Sequence, residues 1–273
     1  MRKLSIVSIA LAGMAMLCSS LAQADQLADI KQKGTLVCGT LGVAEPFSFP
    51  NAQTREIQGY DVDFCGALAK SLGVKLELKL ISVPARITEL QQGRVDVLAA
   101  NLGWTPERAE QIAFSDSYYV SLQKVAARQA DGLKKPADLS GKRVAAAKGS
   151  TSEAGARKQI PNVDVMTFQD PPSVFLALQQ GKVDGIVVSE LVLVKWQKEV
   201  QATAPIAILE PALFTEPWGI GMRKSETALI RHVNGVLQAM EKSGEAAKIF
   251  DKWLGTGTTY NLRRGFKVEA IKG

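Results

Sequence analysis

The sequence predicts an α/β chain folded as two lobes. Two observations carry this reading. Short apolar runs bounded by turn residues alternate with stretches of helical periodicity, the pattern of strands covered on both faces by helices. One phrase also occurs twice: residues 90–96 read LQQGRVD and residues 178–184 read LQQGKVD. Each follows a helical pattern and leads into an apolar strand, VLAA in one case and GIVVS in the other. Two copies so far apart are too few for a solenoid. They read as one helix–strand unit used once in each lobe.

Residues 1–24 read as a secretory signal peptide. Arg2 and Lys3 form a positive start, residues 5–17 an apolar segment, and Ala22-Gln23-Ala24 a small-x-small cleavage site. Lipid anchoring at Cys18 is disfavoured because Leu17 is not small. No other stretch is long and apolar enough to span a membrane. Removing Arg2 and Lys3 takes the formal net charge from +6 to +4, since residues 1–24 hold no acid. The remaining basic residues are scattered singly and aromatic residues are few, so no nucleic-acid footprint is expected. Cleavage also leaves two cysteines, Cys38 and Cys65. An even count in an exported chain favours a disulfide, with two buried thiols as the alternative. The single histidine, His232, excludes a zinc site of ordinary composition, and no cofactor is expected.

The first lobe opens with a helix over 27–33 and a strand over 35–40. Pro, Gly and Asn mark the following stretch, to 58, as a loop, with Phe47 read as a packing residue. A helix begins at Tyr60 and runs to 72, burying Val62, Phe64, Cys65, Ala69 and Leu72. Residues 75–81 alternate as a strand. A short helix then carries Ile87 and Leu90 on one face and stops at Gly93, placed as a left-handed cap. A buried strand over 95–100 opens into Asn101, Leu102 and Gly103, followed by TPER at 105–108. Ligands of open α/β sheets sit beyond the carboxyl ends of strands. This turn offers a glycine N–H, an amide and the Arg108 guanidinium, whose planar fork suits a carboxylate.

Residues 118–128 read as a strand crossing between lobes. A helical turn at 136–139 and a strand over 143–147 follow. Gly149, Ser150, Thr151 and Ser152 then lead into a helix through 159, a pattern that serves either as an ordinary N-cap or as an anion cradle. Strand 163–168, helix 173–180 and strand 185–189 complete the repeat. Residues 206–213 lead to a second crossing, helices at 226–242 and 245–253 follow, and the tail wraps the surface. The common catalytic fingerprints G-x-S-x-G, G-x-x-x-x-G-K-[ST] and G-x-G-x-x-G are absent from the sequence.

Several stretches together resemble the bacterial solute-binding proteins of family 3, which bind polar amino acids in the periplasm and feed ABC importers. They are GYDVDFCGALAKSLG at 59–73, TPER through FSDSYY at 105–119, LSGKRVAAAKGSTSE at 139–153, LQQGKVD at 178–184, EPWGIGMRKSE at 216–226 and SGEAAKIFDKWLG at 243–255. The resemblance implies a type II periplasmic-binding-protein fold with a ligand cleft between lobes. Lobe 1 is expected over 25–122 and 219–273 and lobe 2 over 123–218, each with its own sheet and core, joined by two crossings near 120–128 and 214–222. It implies a monomeric, non-enzymatic periplasmic protein that binds a small polar amino acid or carboxylate, acidic rather than basic, and delivers it to a membrane permease. The alternatives on this fold are a cyclohexadienyl-type dehydratase and a binder of a non-amino carboxylate.

Residue by residue, the resemblance assigns Arg108 to the ligand α-carboxylate, assisted by the Gly103 N–H, and Thr151 to the second-lobe donor; Asn101 and Ser150 are candidate contacts from their places in the two turns. It makes Tyr60 an aromatic wall and places Arg86 where acidic-amino-acid binders hold a side-chain carboxylate. Some members also carry cysteines at both positions matched by Cys38 and Cys65. Three positions depart. Ser189, with Glu190 next, stands where an acid often holds the α-ammonium. Leu41 replaces an aspartate typical of basic-amino-acid binders, and Ala44 replaces an aromatic.

Overall fold

The computed structural model describes residues 25–272. The expected signal peptide and Cys18 lie outside them. Helix α1 (Gln26–Lys33) starts on the Asp25 carboxylate, which accepts the Leu27 N–H. Strand β1 (Thr35–Thr40) follows, then a loop holding the small ladder β2 (Phe49–Pro50) and β3 (Ile57–Gln58). Helix α2 (Tyr60–Leu72), strand β4 (Lys75–Leu80), helix α3 (Arg86–Gln91), strand β5 (Val97–Leu98) and helix α4 (Pro106–Gln111) complete the first run. Strand β6 (Ala113–Arg128) carries the chain across. Strand β7 (Arg143–Ala147), helix α5 (Thr151–Gln159), strand β8 (Asp164–Phe168), helix α6 (Pro171–Gln179), strand β9 (Gly185–Ser189) and helix α7 (Glu190–Val200) build the second lobe. Strand β10 (Ile206–Met222) returns to the first, where helices α8 (Thr227–Ser243) and α9 (Glu245–Leu254) pack.

The strand order is β4-β1-β5-β10-β6-β9-β7-β8. On one side β1 pairs parallel with β4 and β5; on the other β7 pairs parallel with β8 and β9. Both expected crossings are present as β6 and β10. The expected separation into two sheets is not. The crossings are themselves strands, and they pair antiparallel with each other from Ile206↔Arg128 to Met222↔Ala113, so the ladder runs unbroken through both lobes. The cores are likewise not wholly separate. The largest apolar cluster extends from Ile30 and Phe64 through Tyr119 and Trp218 to Leu191 and Trp196. Two smaller clusters remain local to one lobe each, one around Leu90, Leu98 and Ile112, the other around Leu139, Val144 and Ile160.

The duplicated phrase has a structural cause. Gly93 and Gly181 both take φ +68°, a left-handed turn that glycine adopts without a Cβ clash. Each turn delivers an aspartate beside the preceding parallel strand. Asp96 N–H donates to Val37 O, and its Oδ2 accepts the Val37 N–H at 2.8 Å. Asp184 N–H donates to Arg143 O, and its Oδ2 accepts the Arg143 N–H at 2.9 Å. The aspartate thus pins the start of each new strand to its neighbour. In the first lobe Asp96 also receives Gln26 Nε2 and Lys33 Nζ, which anchors α1.

Three elements differ from the sequence reading. Residues 106–111, whose start is read there as a turn, form helix α4. Only Val97–Leu98 of the expected strand 95–100 forms ladder pairs, although the whole run is buried. Residues 190–200, to which the sequence reading assigns no element, form α7. Val192, Trp196 and Val200 recur at helical spacing on its buried face, and Trp196 stacks on Phe175 at 4.5 Å. The β-branched run at its start resembles a strand locally, and burial against α6 and the crossing strands overrides that propensity. The tail does lie along the first lobe: Ser117 N–H donates to Glu269 O and Arg264 pairs with Glu241.

Cys38 on β1 and Cys65 on α2 are both fully buried and form the expected disulfide, with Cα atoms 6.2 Å apart. Closing a loop of sequence separation 27 contributes about 3 kcal/mol in the chain-entropy model. Thiol titration of the unfolded, unreduced chain lacking residues 1–24 is expected to find no free thiol. Reduction is expected to lower the unfolding midpoint accordingly. Two reactive thiols per chain would refute the bridge.

Candidate functional site

The carboxyl ends of β5 in one lobe and of β7 and β9 in the other converge on the middle of the two crossing strands. There they enclose a narrow cleft between the lobes, the place where open α/β sheets hold their ligands. Leu41, Ala44, Val83, Arg86 and Asn101 line it from the first lobe. Ser150, Thr151, Ser152, Val188 and Ser189 line it from the second, and Gln123, Glu216 and Trp218 from the crossing strands.

The first-lobe wall is a backbone turn held between two buried charges. Asn101 adopts φ +51°, and its N–H donates to Asp61 Oδ2 at 3.0 Å. Tyr118 OH donates to Asp61 Oδ1 at 2.7 Å. From the other side Arg86 Nη1 donates to Ala100 O and Asn101 O at 2.9 and 2.8 Å, and its Nε to Val83 O. Burial pushes the Asp61 carboxyl up to about 7, against the pull of Tyr118, the Asn101 N–H and Arg86. Burial, and then the neighbouring Arg108, lower Arg86 to about 9, with Glu216 and Asp61 opposing. Arg86 therefore stays cationic at neutral pH.

Arg108 stands on α4, whose N-cap Thr105 accepts the Arg108 N–H. Its Nη1 donates to Gly103 O at 2.7 Å and its Nη2 to Gly149 O at 2.8 Å. One guanidinium thus ties the turn after β5 to the turn before α5 in the other lobe. It lines a hollow adjoining the cleft, with Pro84, Leu102 and Gly149, rather than the cleft itself. A second tie crosses at Lys195, 3.1 Å from Glu45. Gly103 faces Glu216 so closely that a Cβ there would lie 2.2 Å from Glu216 Oε2. Only glycine fits.

Glu216 has no assigned role in the sequence reading, yet it is the cleft's buried carboxylate. Its Oε1 accepts from Thr151 Oγ1 at 3.0 Å, Gln123 Nε2 at 2.9 Å and Trp218 Nε1 at 2.9 Å. Burial raises its carboxyl above the usual range, opposed by the Trp218 and Thr151 hydrogen bonds and by Arg108 and Arg86. Ser152 Oγ donates to Gln123 Oε1 at 2.6 Å and so orients that amide. Ser150 caps α5, accepting the Glu153 N–H. Thr151 directs its hydroxyl proton at Glu216, leaving its main-chain N–H as its donor toward a ligand.

Tyr60 is not where the resemblance puts it. It is fully buried in the first-lobe core, its OH donating to Tyr118 O, with Phe47, Phe64, Tyr118 and Tyr119 around its ring. Trp218 supplies the aromatic of the lining, backed by Phe47 at 4.7 Å. Glu190 is directed to Lys124 at 2.7 Å and does not line the cleft. Arg86, Asn101, Ser150, Thr151 and Ser189 all reach the cleft, with Arg108 at its border. Gln123, Ser152, Glu216 and Trp218 escaped the sequence reading. Glu216 and Trp218 sit in the quoted EPWGIG motif, but nothing local says which of its side chains turns inward.

A family model for bacterial extracellular solute-binding proteins, family 3, matches residues 36–256. The chain is 31% identical over 259 residues to the L-cystine-binding protein TcyJ of Escherichia coli, covering 94% of this chain and 96% of that one. A mutant of ArgBP from T. maritima superposes with a TM-score of 0.78 at 29% identity, over 83% of this chain and 98% of that one. The ancestral amino acid-binding protein AncCDT-1, a precursor of cyclohexadienyl dehydratase, superposes with a TM-score of 0.76 at 31% identity, over 84% and 100%.

The Asp61 environment gives a pH signature. Its carboxyl moves from an ordinary 3.8 to about 7 on folding. Between those values the folded state holds a proton that the unfolded state has released. The Asp61 contribution therefore favours folding most below pH 4, declines as pH rises towards 7, and is constant above. In urea melts from pH 4 to 8, Asp61→Asn is expected to remove this decline, so that its stability relative to wild type rises with pH by a few kcal/mol at most. A wild-type-minus-mutant difference independent of pH would show that Asp61 titrates normally.

Proposed function

The chain belongs to the bacterial extracellular solute-binding proteins of family 3, and on that premise we propose that it captures a small polar amino acid in the cleft and delivers it to the membrane permease of an ABC importer. Its fold is the type II periplasmic-binding-protein fold. The observation that carries the reading is the Arg108 guanidinium, which bonds Gly103 O and Gly149 O from opposite lobes beside a cleft lined by both. A ligand touching both lobes favours the closed form by its differential affinity for it, and the closed surface is what a permease can read. The capture takes place outside the cytoplasmic membrane, in the periplasm, after removal of residues 1–24. The lobes divide at 122/123 and 218/219.

At the border of the cleft, Arg108 receives the α-carboxylate together with the Gly103 and Thr151 N–H groups. Leu41 and Ala44 leave the facing wall without the acid a cationic side chain needs. The acidic form of the reading rests on Arg86. Its Nε and Nη1 are held by three carbonyls, so only Nη2 remains for a ligand side chain. Glu216 offsets part of the positive field, which widens the favoured class to neutral polar and sulfur-containing side chains. The L-cystine-binding E. coli relative supports including the latter. The dehydratase reading draws on AncCDT-1 and on Glu216 as a buried carboxyl.

A thermal-shift panel of acidic, neutral polar, sulfur-containing and basic amino acids, with dicarboxylates and a cyclohexadienyl acid, tests this. A ligand at 100 times its dissociation constant adds about 2.7 kcal/mol of stability. An acidic or neutral polar amino acid is expected to give the largest shift. Arg108→Ala is expected to remain folded and lose about 2–5 kcal/mol of affinity. Stabilisation by arginine or lysine alone would overturn the charge argument, and turnover of the cyclohexadienyl acid would make the protein an enzyme.

A further inference from the structure

Three buried side-chain oxygens in the cleft lining have no hydrogen-bond partner: Glu216 Oε2, Ser189 Oγ and Asn101 Oδ1. They come from three parts of the fold: a crossing strand, the end of β9 in the second lobe, and the turn after β5 in the first. The other unpartnered buried atoms among the described residues, such as Gln26 Oε1 and Tyr260 OH, do not line the cleft. All three residues line the one cleft. Glu216 Oε2 lies against Gly103, two residues beyond Asn101. Ser189 is the ladder partner of Gln123, whose Nε2 donates to the other oxygen of Glu216.

Unpartnered buried acceptors are rare and call for an explanation. An ammonium has three N–H donors and no acceptor, which is the complement of three acceptors. Glu216 is 4% exposed and Ser189 6%, so a cation between them is shielded from water and felt strongly. The three bonds that Glu216 Oε1 accepts hold the carboxylate in place against burial and leave Oε2 unpartnered. Resting on the reading of the protein as an amino-acid binder, we propose that Glu216, with Ser189 Oγ and Asn101 Oδ1, receives the ligand's α-ammonium. The crossing strand thereby supplies the charge that Ser189 lacks. Glu190 cannot supply it, because its carboxylate pairs with Lys124.

The position also ties recognition to closure. Glu216 travels on the strand joining the lobes, Asn101 belongs to one lobe and Ser189 to the other. A group bonded to all three therefore contacts both lobes and the strand between them. An ammonium there acts as a second cross-lobe tie, opposite in sign to the one Arg108 makes.

The test uses the chain from residue 25 and isothermal calorimetry with L-cystine, L-glutamine and L-glutamate. Each is paired with its des-amino counterpart: 3,3′-dithiodipropionate, glutaramate and glutarate. Wild type is expected to bind at least one amino acid about 100-fold or more tightly than its des-amino partner. Glu216→Gln keeps an oxygen for Thr151, Gln123 and Trp218 but turns an N–H₂ towards the ammonium. It is expected to erase that preference, bringing the affinities of the two members of each pair together. Ser189→Ala, a milder change that leaves Glu216 in place, is expected to weaken the amino acid alone by about five-fold, one neutral hydrogen bond's worth. A Glu216→Gln protein that keeps the preference overturns the assignment. If that variant fails to fold, a Ser189→Ala protein that weakens both members of a pair equally does the same. Wild type that binds a des-amino acid as tightly as its amino acid overturns the ammonium site but leaves solute binding standing. Wild type that binds none of the six overturns both.

Discussion

The antiparallel ladder between β6 and β10 is the constraint on which the rest depends. It joins the two lobes, and it also carries cleft residues of its own. Glu216 pairs with Ser121 and Trp218 with Tyr119 in its register. A shift by one residue would turn Glu216 and Trp218 away from the cleft and their neighbours into it, because side chains alternate across a strand. The register breaks at Leu209/Phe214, Trp218/Gly219 and Gly219/Gly221 are where the strands bend around the site. Such irregularities re-aim side chains and increase local twist.

The charges of the cleft form one arrangement rather than separate sites. Asp61 accepts the Asn101 N–H while Arg86 donates to the Ala100 and Asn101 carbonyls, and neither would be tolerated buried alone. Arg108 and Glu216 each moderate the other's desolvation, which is why each appears among the influences on the other's ionisation. Removing one partner leaves an unbalanced charge and an unpaired backbone carbonyl or N–H. Side chains that look like ligand contacts by position can thus be framework. Arg86 is largely so, with three of its N–H bonds directed at main-chain carbonyls.

The duplicated LQQG phrase shows how local chemistry recurs wherever the same join is needed. A helix must stop, reverse through a left-handed turn and deliver a strand parallel to its neighbour. The glycine at φ +68° permits the turn, and the aspartate three residues later accepts the neighbouring strand's N–H. Nothing in this join depends on the ligand, so it is used identically in lobes whose cleft-facing residues differ.

Whatever depends on neighbours in the chain was therefore legible in the sequence. The alternation of strands and helices, the glycine stops, the N-cap at Ser150, the cysteine pair and the turn after β5 all follow from spacing, turn chemistry and resemblance to a family. The pairing of the crossings into one ladder, α7 in place of an unassigned stretch, the withdrawal of Tyr60 into the core and the turning of Glu216 into the cleft were decided only by tertiary structure. The reason is physical. A residue's helical or extended tendency is set by its own side chain and those a few positions away. Which way a strand residue faces, and which buried oxygen finds no partner, depends on groups far away in the chain, as Gln123 is 93 positions from Glu216.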